Sequence, residues 1–266
     1  MKILEIRNFA DKSEFPQAWL FYDPSSETFF AEIISDADPW LLPASLFGWA
    51  MQKKYTLGRK DTLRFIQERI IPAERQNIST ILKDHGLKEY REWDMLKLYN
   101  GRCEQDDYEL IPVHAEDLPE EIQSRISHHL RDFVIMENRD VLFFFNDGST
   151  KSCDMTPLLS ENRFFKPALV NDDFFQRMEL LPSGMGIHFG TDAEILYDQL
   201  YACSQEIPVK YEIFLRFTKD RTVFTSEAAE TTGCTRQNIS ALTKTGKLSP
   251  VKAGKKNMLF LKADLK

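Results

Sequence analysis

The segment 225–248 constrains the fold of this chain most strongly, because small residues, a glycine and apolar residues recur in it at helical spacing. Ala228 and Ala229 are small enough for a second helix to cross closely, and Gly233 predicts a break at which the backbone adopts a positive φ. Thr235 follows as the predicted N-cap of a second helix. The pattern therefore indicates two short helices joined by a tight turn.

The flanking residues extend this interpretation. Thr225 or Ser226 is expected to cap the first helix, and the second helix is expected to span 235–245 and to end at Gly246. Segment 251–261 then predicts two short strands around a basic turn. Helix, turn, helix and hairpin together predict a small domain.

The net charge of −7 conceals two parts of opposite sign. Residues 208–266 contain 12 lysines and arginines against 5 aspartates and glutamates, which gives +7. Residues 1–207 contain 22 against 36, which gives −14. A basic tail is often only a solvated surface, but a compact basic unit with a helical pattern suits a polyanionic partner.

This basic segment resembles the winged helix-turn-helix of MerR and excisionase-type proteins over about residues 211–265. The resemblance implies a recognition helix at 235–245, a wing at 251–261 and double-stranded DNA as the partner. In that arrangement Arg236 would bond guanine, Gln237 or Asn238 would bond adenine, and hydroxyls and lysines would hold phosphates. The candidate DNA-binding residues are Thr235, Arg236, Gln237, Asn238, Ser240, Thr243, Lys244, Lys252, Lys255 and Lys256. A helical hairpin used for protein contact is the alternative.

The first 115 residues predict a mixed α/β domain. Apolar runs at Trp19–Tyr22 and Phe29–Ile34 are separated by a turn at Asp23–Ser26, which predicts a hairpin. Helical spacing predicts four helices after the hairpin, over 43–54, 61–70, 72–85 and 92–99.

Residues 116–206 predict a smaller α+β domain. A short helix is expected over 119–131, and a closing helix over 192–201. Between them, apolar runs and turn signals predict strands at 133–136, 141–145, 149–154 and 185–189.

Several motifs of this second segment resemble the DUF2442 family. They are Phe145–Gly148, Asp154–Leu159 and Phe164–Leu169, and then Gly186–Phe189 and Ala193–Tyr201, with a phenylalanine in place of the family's usual tryptophan. The resemblance covers about a third of the chain. It implies a small α+β module, often found with helix-turn-helix domains or in toxin–antitoxin-like loci, and implies no catalytic residue.

The first segment resembles, more distantly, the leading segment of bacterial HipA-like kinases. The similar positions are Leu42–Ala44, Arg69–Pro72, Arg75 and Gly101–Tyr108. No glycine-rich phosphate loop, H-R-D or D-F-G sequence follows them. The resemblance therefore implies a partner-binding segment and not a kinase.

The sequence offers no catalytic or metal-binding constellation. The four cysteines lie at least 31 positions apart, which predicts inert thiols in a reducing cytoplasm and neither disulfides nor zinc ligands. His128 and His129 are adjacent in a helix-like stretch, so their side chains are expected to diverge. The pairs Asp106–Asp107 and Asp172–Asp173 are expected to be solvated loop carboxylates. No enzyme activity, metal or cofactor is expected.

Targeting signals are also missing from the sequence. No apolar run approaches the roughly 18 residues of a membrane span, and the N-terminal residues lack the apolar core of a signal peptide. A cytoplasmic protein without a membrane partner is therefore expected.

These observations favour an α+β multidomain chain, with a mixed α/β domain over 1–115, a DUF2442-like α+β domain over 116–206 and a winged helix-turn-helix over 208–266. The expected function is sequence-specific binding of double-stranded DNA by a transcriptional regulator, in one version an antitoxin-like autorepressor. A homodimer is expected, because one short helix-turn-helix contacts few base pairs, and residues 1–206 are available for a protein partner. The alternative is a protein-interaction adaptor of a toxin–antitoxin or phage-related locus with little specific DNA binding.

Overall fold

The chain has a mixed α+β fold that divides into two compact units. The computed structural model describes residues 1–11, 15–191, 193–254 and 257–265. The first unit comprises Met1–Asp147 and Lys151–Glu206, and the second comprises Gly148–Thr150 and Ile207–Lys266. The boundary expected between 115 and 116 lies inside the first unit.

An antiparallel sheet of five strands begins the first unit, in the order β4-β3-β2-β1-β5. The predicted hairpin is present, since β2 pairs with β3. The flanking strands β1 and β5 pair with each other although their sequences lie far apart. The strands are β1 (Lys2–Asn8), β2 (Ala18–Asp23), β3 (Thr28–Ile33), β4 (Thr56–Leu57) and β5 (Tyr108–Val113).

Four helices accompany this sheet, close to three of the predicted ranges: α1 (Ala44–Met51), α2 (Arg59–Gln67), α3 (Ile78–Asp84) and α4 (Glu92–Leu98). The prediction of a helix from Pro72 was wrong at its start. Residues 72–77 form turns, and Arg75 and Ile78 donate backbone hydrogen bonds to the carbonyls three positions earlier.

The centre of the sheet is buried on both faces, which explains its continuous apolar runs. Leu20 and Tyr22 pack into one apolar cluster with α1, α2 and α4. Phe21 on the opposite face packs into another, which includes Ile122 and Tyr197. Ile122 and Tyr197 come after the expected domain boundary at 115/116 in the sequence. The sheet and residues 116–206 therefore share one core.

The residues that follow contain a three-stranded antiparallel sheet in the order β11-β10-β9 and a four-stranded sheet in the order β12-β8-β7-β6, with a second core rich in phenylalanine. The helix predicted over 119–131 was wrong at its end, because it stops at Ser127 and residues 130–131 already belong to β6. The predicted strands after it are present, and β6 pairs antiparallel with β7. The elements are α5 (Glu120–Ser127), β6 (Leu130–Ile135), β7 (Asp140–Phe145), β8 (Thr150–Asp154), α6 (Thr156–Glu161), α7 (Lys166–Val170), α8 (Asp172–Phe175), β9 (Glu179–Leu180), β10 (Gly186–His188), β11 (Glu194–Leu196), α9 (Tyr197–Cys203) and β12 (Gln205–Ile207).

The closing helix predicted over 192–201 was wrong in its first half. Residues 194–196 form β11, which pairs with β10 through Ile195 and Ile187. Both of these side chains are buried, so pairing to a neighbouring strand overrides the helical spacing of this short apolar run. Asp192 lies outside the described residues.

The described residues of the second unit form three α-helices, one short 3-10 helix (Lys262–Asp264) and a three-stranded antiparallel sheet in the order β13-β15-β14. The two helices and the hairpin occur where the sequence predicts them, and the strand preceding them, β13, joins the hairpin in one sheet. The elements are α10 (Tyr211–Arg221), β13 (Thr222–Phe224), α11 (Thr225–Thr232), α12 (Arg236–Lys244), β14 (Lys252–Ala253) and β15 (Met258–Leu261).

The helices of the described residues include none that is long and apolar enough to cross a membrane.

Candidate nucleic-acid interface

A left-handed glycine makes the turn between α11 and α12. Gly233 has a φ of 67°, as its place in the sequence predicts, and nothing lies within 4 Å of the position of a Cβ atom. The amide of Cys234 donates to the carbonyl of Ala229 at 2.9 Å, which closes the end of α11. The turn is therefore short because the backbone of one residue reverses the chain.

The start of α11 differs from the prediction that Thr225 or Ser226 caps it. The N-cap is Phe224, and its amide donates to the Glu227 carboxylate at 2.9 Å. Thr225 is already inside the helix, and its hydroxyl accepts from the amide of Met258 at 3.2 Å. This bond ties the first helix to β15, so the hydroxyl contributes to tertiary structure instead of capping.

The second helix begins as predicted. The hydroxyl of Thr235 accepts from the amide of Asn238 at 3.2 Å and caps α12. Ile239 is fully buried, and Leu242 is half-buried beside it. They pack into the core of this unit with Ala228 from α11 and Phe260 from β15, so α12 is fixed by one face only.

The opposite face of α12 is exposed and carries four of the predicted site residues. With about 100° between successive residues of a helix, Arg236, Gln237, Ser240 and Lys244 fall within about one third of the circumference. Three of these side chains are exposed, and Ser240 is half-buried. The structure thus brings together a guanidinium, an amide, a hydroxyl and an ammonium group on one helix face.

Two predicted residues of α12 make hydrogen bonds within the second unit instead. The side-chain amide of Asn238 donates to the sulfur of Cys234 at 3.4 Å, on the side away from Arg236. Thr243 is half-buried, and its hydroxyl donates to the carbonyl of Ile239 at 3.0 Å. Helical spacing places Asn238 about 100° away from the nearest of the four residues, Gln237. Thr243 lies within about 20° of Arg236 on the helix, and its partial burial and its hydrogen bond to the backbone set it apart from the four.

The predicted basic hairpin is formed by β14 and β15, with Ala253 opposite Met258. Lys252 is exposed on β14. The predicted phosphate ligands Lys255 and Lys256 lie outside the described residues. Lys247, which was not among the predicted ligands, is exposed three positions after the end of α12. Its place next to Gly246, the predicted end of the helix, is the signal that could have identified it.

Helix α10 presents large apolar side chains to solvent. Ile213 and Phe217 lie one helical turn apart, and they are 56% and 54% exposed. No residue of this helix is buried. The helix therefore leaves an apolar strip uncovered in this chain.

The first unit contains a buried polar cluster that the sequence did not reveal. Glu32 is completely buried, and its carboxylate accepts from the Tyr197 hydroxyl at 2.9 Å, the Thr56 hydroxyl at 3.0 Å and the Arg125 guanidinium at 3.2 Å. Burial raises the pKa of Glu32 to about 7, and the charge of Arg125 and the hydrogen bonds oppose that shift only in part. The carboxyl is therefore poised to hold a proton near neutral pH.

The two adjacent histidines diverge as predicted, although no helix contains them both. His128 stacks on the ring of Tyr201, with centroids 3.8 Å apart. His129 is buried, its Nδ1 lies 3.1 Å from the carbonyl oxygen of Ser183, and burial lowers its pKa to about 4. His129 is therefore a neutral core residue at pH 7.

Three residues for which the sequence predicts no side-chain partner have one in the structure, either an ion pair or a second thiol. Asp106 pairs with the buried guanidinium of Arg69 and is only 15% exposed, so the prediction of a solvated carboxylate was wrong there. Asp172 lies 2.6 Å from Arg139 but is 84% exposed, so it is solvated as predicted, although it belongs to α8 and not to a loop. Cys153, expected to be an inert thiol, meets Cys203. Each pair joins positions at least 33 residues apart, which local sequence patterns do not connect.

Comparison with known proteins adds no relative, since no family model, curated protein or solved structure matches the chain. Within the described ranges, no three His, Cys, Asp or Glu side chains form a group that could hold a metal ion. The geometry of the second unit is therefore the basis for a functional proposal.

Proposed function

We propose that the second unit is a winged helix-turn-helix and that the chain is a transcriptional regulator which binds a specific site on double-stranded DNA. The observation that carries this proposal is the polar exposed face of α12, with Arg236, Gln237, Ser240 and Lys244, on a helix whose other face is fixed in a core. An antitoxin-like autorepressor is the version that agrees with the resemblance of residues 116–206 to the DUF2442 family.

The order of residues along α12 supports a separation of roles. Arg236 and Gln237 occupy the first turn, which is the part of a recognition helix that reaches base edges. An arginine pairs with O6 and N7 of guanine, and a glutamine pairs with N6 and N7 of adenine. Lys244 at the other end of the helix and Lys252 on β14 would hold phosphates. In this arrangement Asn238 and Thr243 would not contact a base.

A homodimer completes the proposal, with α10 as the contact between two copies. The exposed Ile213 and Phe217 form an apolar strip, and Glu212 lies near one end of the helix while Lys219 and Arg221 lie near the other. When two copies of α10 pair antiparallel about a twofold axis, each acidic end meets a basic end. Dimerisation would double the number of base pairs contacted and set the spacing of the two half-sites.

The proposal is tested by measuring how the full chain binds duplex fragments of its own upstream DNA at several salt concentrations. We expect tight binding to one fragment and a loss of about 5- to 150-fold per copy bound for Arg236→Ala, because one bidentate contact to guanine is worth about 1–3 kcal/mol. Arg216→Ala is the matched control, since it removes the same charge from an 85% exposed side chain of α10.

Salt dependence separates base contacts from phosphate contacts. Lys252→Gln is expected to lower the slope of log K against log salt by about 0.9 for each copy bound, without changing which fragment is preferred. Weak binding that is equal for all fragments and unaffected by Arg236→Ala would reject the proposal and favour the protein-interaction adaptor.

A further inference from the structure

Two cysteines of the first unit lie side by side although 49 residues separate them. Cys153 is on β8, and Cys203 is the last residue of α9. Their Sγ atoms are 2.7 Å apart, and both thiols are free. This separation is shorter than an ordinary contact between two sulfur atoms and longer than the disulfide bond length of about 2.05 Å. Little movement is needed for a bond to form.

The two thiols have unequal surroundings. Cys203 is exposed, whereas Cys153 is only 1% exposed. The hydrogen bond between them lowers the pKa of Cys203, and the side chain of Ser204 lowers it further. The same hydrogen bond and burial raise the pKa of Cys153. A thiolate therefore forms first at the sulfur that solvent reaches, which is the arrangement of a reactive cysteine with a resolving partner.

We propose that Cys153 and Cys203 are a redox modification site, at which a hydroperoxide converts the two thiols into an intramolecular disulfide. The Cys203 thiolate attacks the peroxide oxygen, the O–O bond breaks, and with one proton taken up a sulfenic acid and water are formed from hydrogen peroxide. The Cys153 thiol then displaces the hydroxyl of the sulfenic acid, which forms the S–S bond and releases a second water. Both sulfurs are oxidised and the peroxide is reduced. A dithiol reverses the modification.

The other two cysteines provide an internal contrast. The thiol of Cys103 donates to the carboxylate of Asp106 at 3.5 Å, and the sulfur of Cys234 accepts from the amide of Asn238 at 3.4 Å. Their described partners are thus oxygen and nitrogen atoms, so a peroxide treatment that forms a disulfide within one chain is expected to select the other pair.

The disulfide would connect β8 to the end of α9 and would enclose, in the sequence, residues that form most of the phenylalanine-rich core. Phe165, Phe175 and Phe189 all belong to this core and lie between the two cysteines. A disulfide that closes a loop of about 50 residues lowers the conformational entropy of the unfolded chain and so stabilises the folded state. The oxidised first unit is therefore expected to unfold at a higher temperature than the reduced one.

Peptide mapping tests the proposal on the full chain. The protein is treated with a small molar excess of hydrogen peroxide, remaining thiols are blocked with iodoacetamide, and peptides are analysed by mass spectrometry without reduction. We expect one cross-linked pair that joins Cys153 to Cys203, alkylated Cys103 and Cys234, and loss of the cross-link after dithiothreitol. Alkylation of both Cys153 and Cys203 after peroxide, or a cross-link between other positions, would overturn the proposal.

Two serine variants act as controls. Cys203→Ser changes an exposed residue and is expected to abolish both the cross-link and the difference in melting temperature between peroxide-treated and reduced protein. Cys103→Ser is expected to keep both. If Cys203→Ser still shows the full difference in melting temperature, that difference has another cause and the proposed disulfide is not responsible.

Discussion

The buried carboxyl of Glu32 makes a pH-dependent contribution to the stability of the first unit, and Glu32→Gln is expected to remove that contribution. Because burial raises the pKa of Glu32 from 4.5 to about 7, the folded protein keeps a proton that the unfolded chain loses between these values. Raising the pH through this interval therefore favours unfolding, by about 1.4 kcal/mol per pH unit and about 3 kcal/mol in all. Glutamine does not ionise, so in the variant this residue does not lower the free energy of unfolding as the pH rises.

His129 acts in the opposite direction and supplies a matched control. Burial lowers its pKa from 6.5 to about 4, so between these pH values the unfolded chain binds a proton that the folded protein does not bind. Stability from this residue is complete above pH 6.5 and is lost as the pH falls toward 4, again by about 1.4 kcal/mol per pH unit. Between pH 4.5 and 6.5 the two contributions nearly cancel in the native protein. His129→Gln leaves the Glu32 contribution uncompensated.

Urea unfolding followed by tryptophan fluorescence measures both effects. All four tryptophans, Trp19, Trp40, Trp49 and Trp93, belong to the first unit, so the signal reports on that unit. We expect the free energy of unfolding of Glu32→Gln, relative to the native protein, to rise with pH between 4.5 and 7. The corresponding difference for His129→Gln is expected to fall with pH between 4.5 and 6.5.

A pH-independent difference for Glu32→Gln would refute this reasoning. It would mean that Glu32 is ionised throughout, and that Arg125 and the two hydroxyl groups offset the free energy of burying the charge. A difference that falls with pH would refute it more strongly, since the ion pair would then outweigh burial.

Three further substitutions test local features. Gly233→Ala forces an alanine into a φ of 67°, and we expect it to destabilise the second unit by about 1–2 kcal/mol in urea unfolding followed by circular dichroism. Its control is Gly48→Ala, inside α1, which is expected to stabilise the first unit by about 0.5–1 kcal/mol. Thr235→Ala removes the cap of α12 and lowers the stability of the second unit by about 1 kcal/mol in the same assay. Phe217→Glu places a charge on the exposed strip of α10 and converts a dimer to a monomer in light scattering, while Arg216→Ala does not.

Local patterns predict the second unit more completely than the first. The positive φ of Gly233, the cap at Thr235 and the buried Ile239 each depend on residues within one turn of the chain, so the sequence contains the necessary information. Strands β1 and β5 were not predicted. They pair with each other across about a hundred residues, and the other neighbour of β1, strand β2, begins ten residues after β1 ends. Residues 194–196 show the same effect, since pairing to β10 determines their conformation.

The buried groups of the first unit were not predicted for a similar reason. Glu32 stands in the apolar run Phe29–Ile34, and a charged residue in a strand buried on both faces is a signal that a polar partner exists. Its partners Arg125 and Tyr197 are 93 and 165 positions away, so the sequence could indicate a partner but not identify it. The approach of Cys153 to Cys203 also depends on tertiary structure.

The central claim is that α12 reads DNA bases, and selection from a pool of random duplexes tests it most directly. The full chain and its Arg236→Ala variant are each incubated with the pool, and the bound sequences are determined. We predict that the native chain enriches one motif with two related half-sites, and that the variant loses its preference for a guanine at one position of each half-site while the remaining positions stay enriched. An identical motif for both proteins, or no enriched motif for the native chain, would contradict the account.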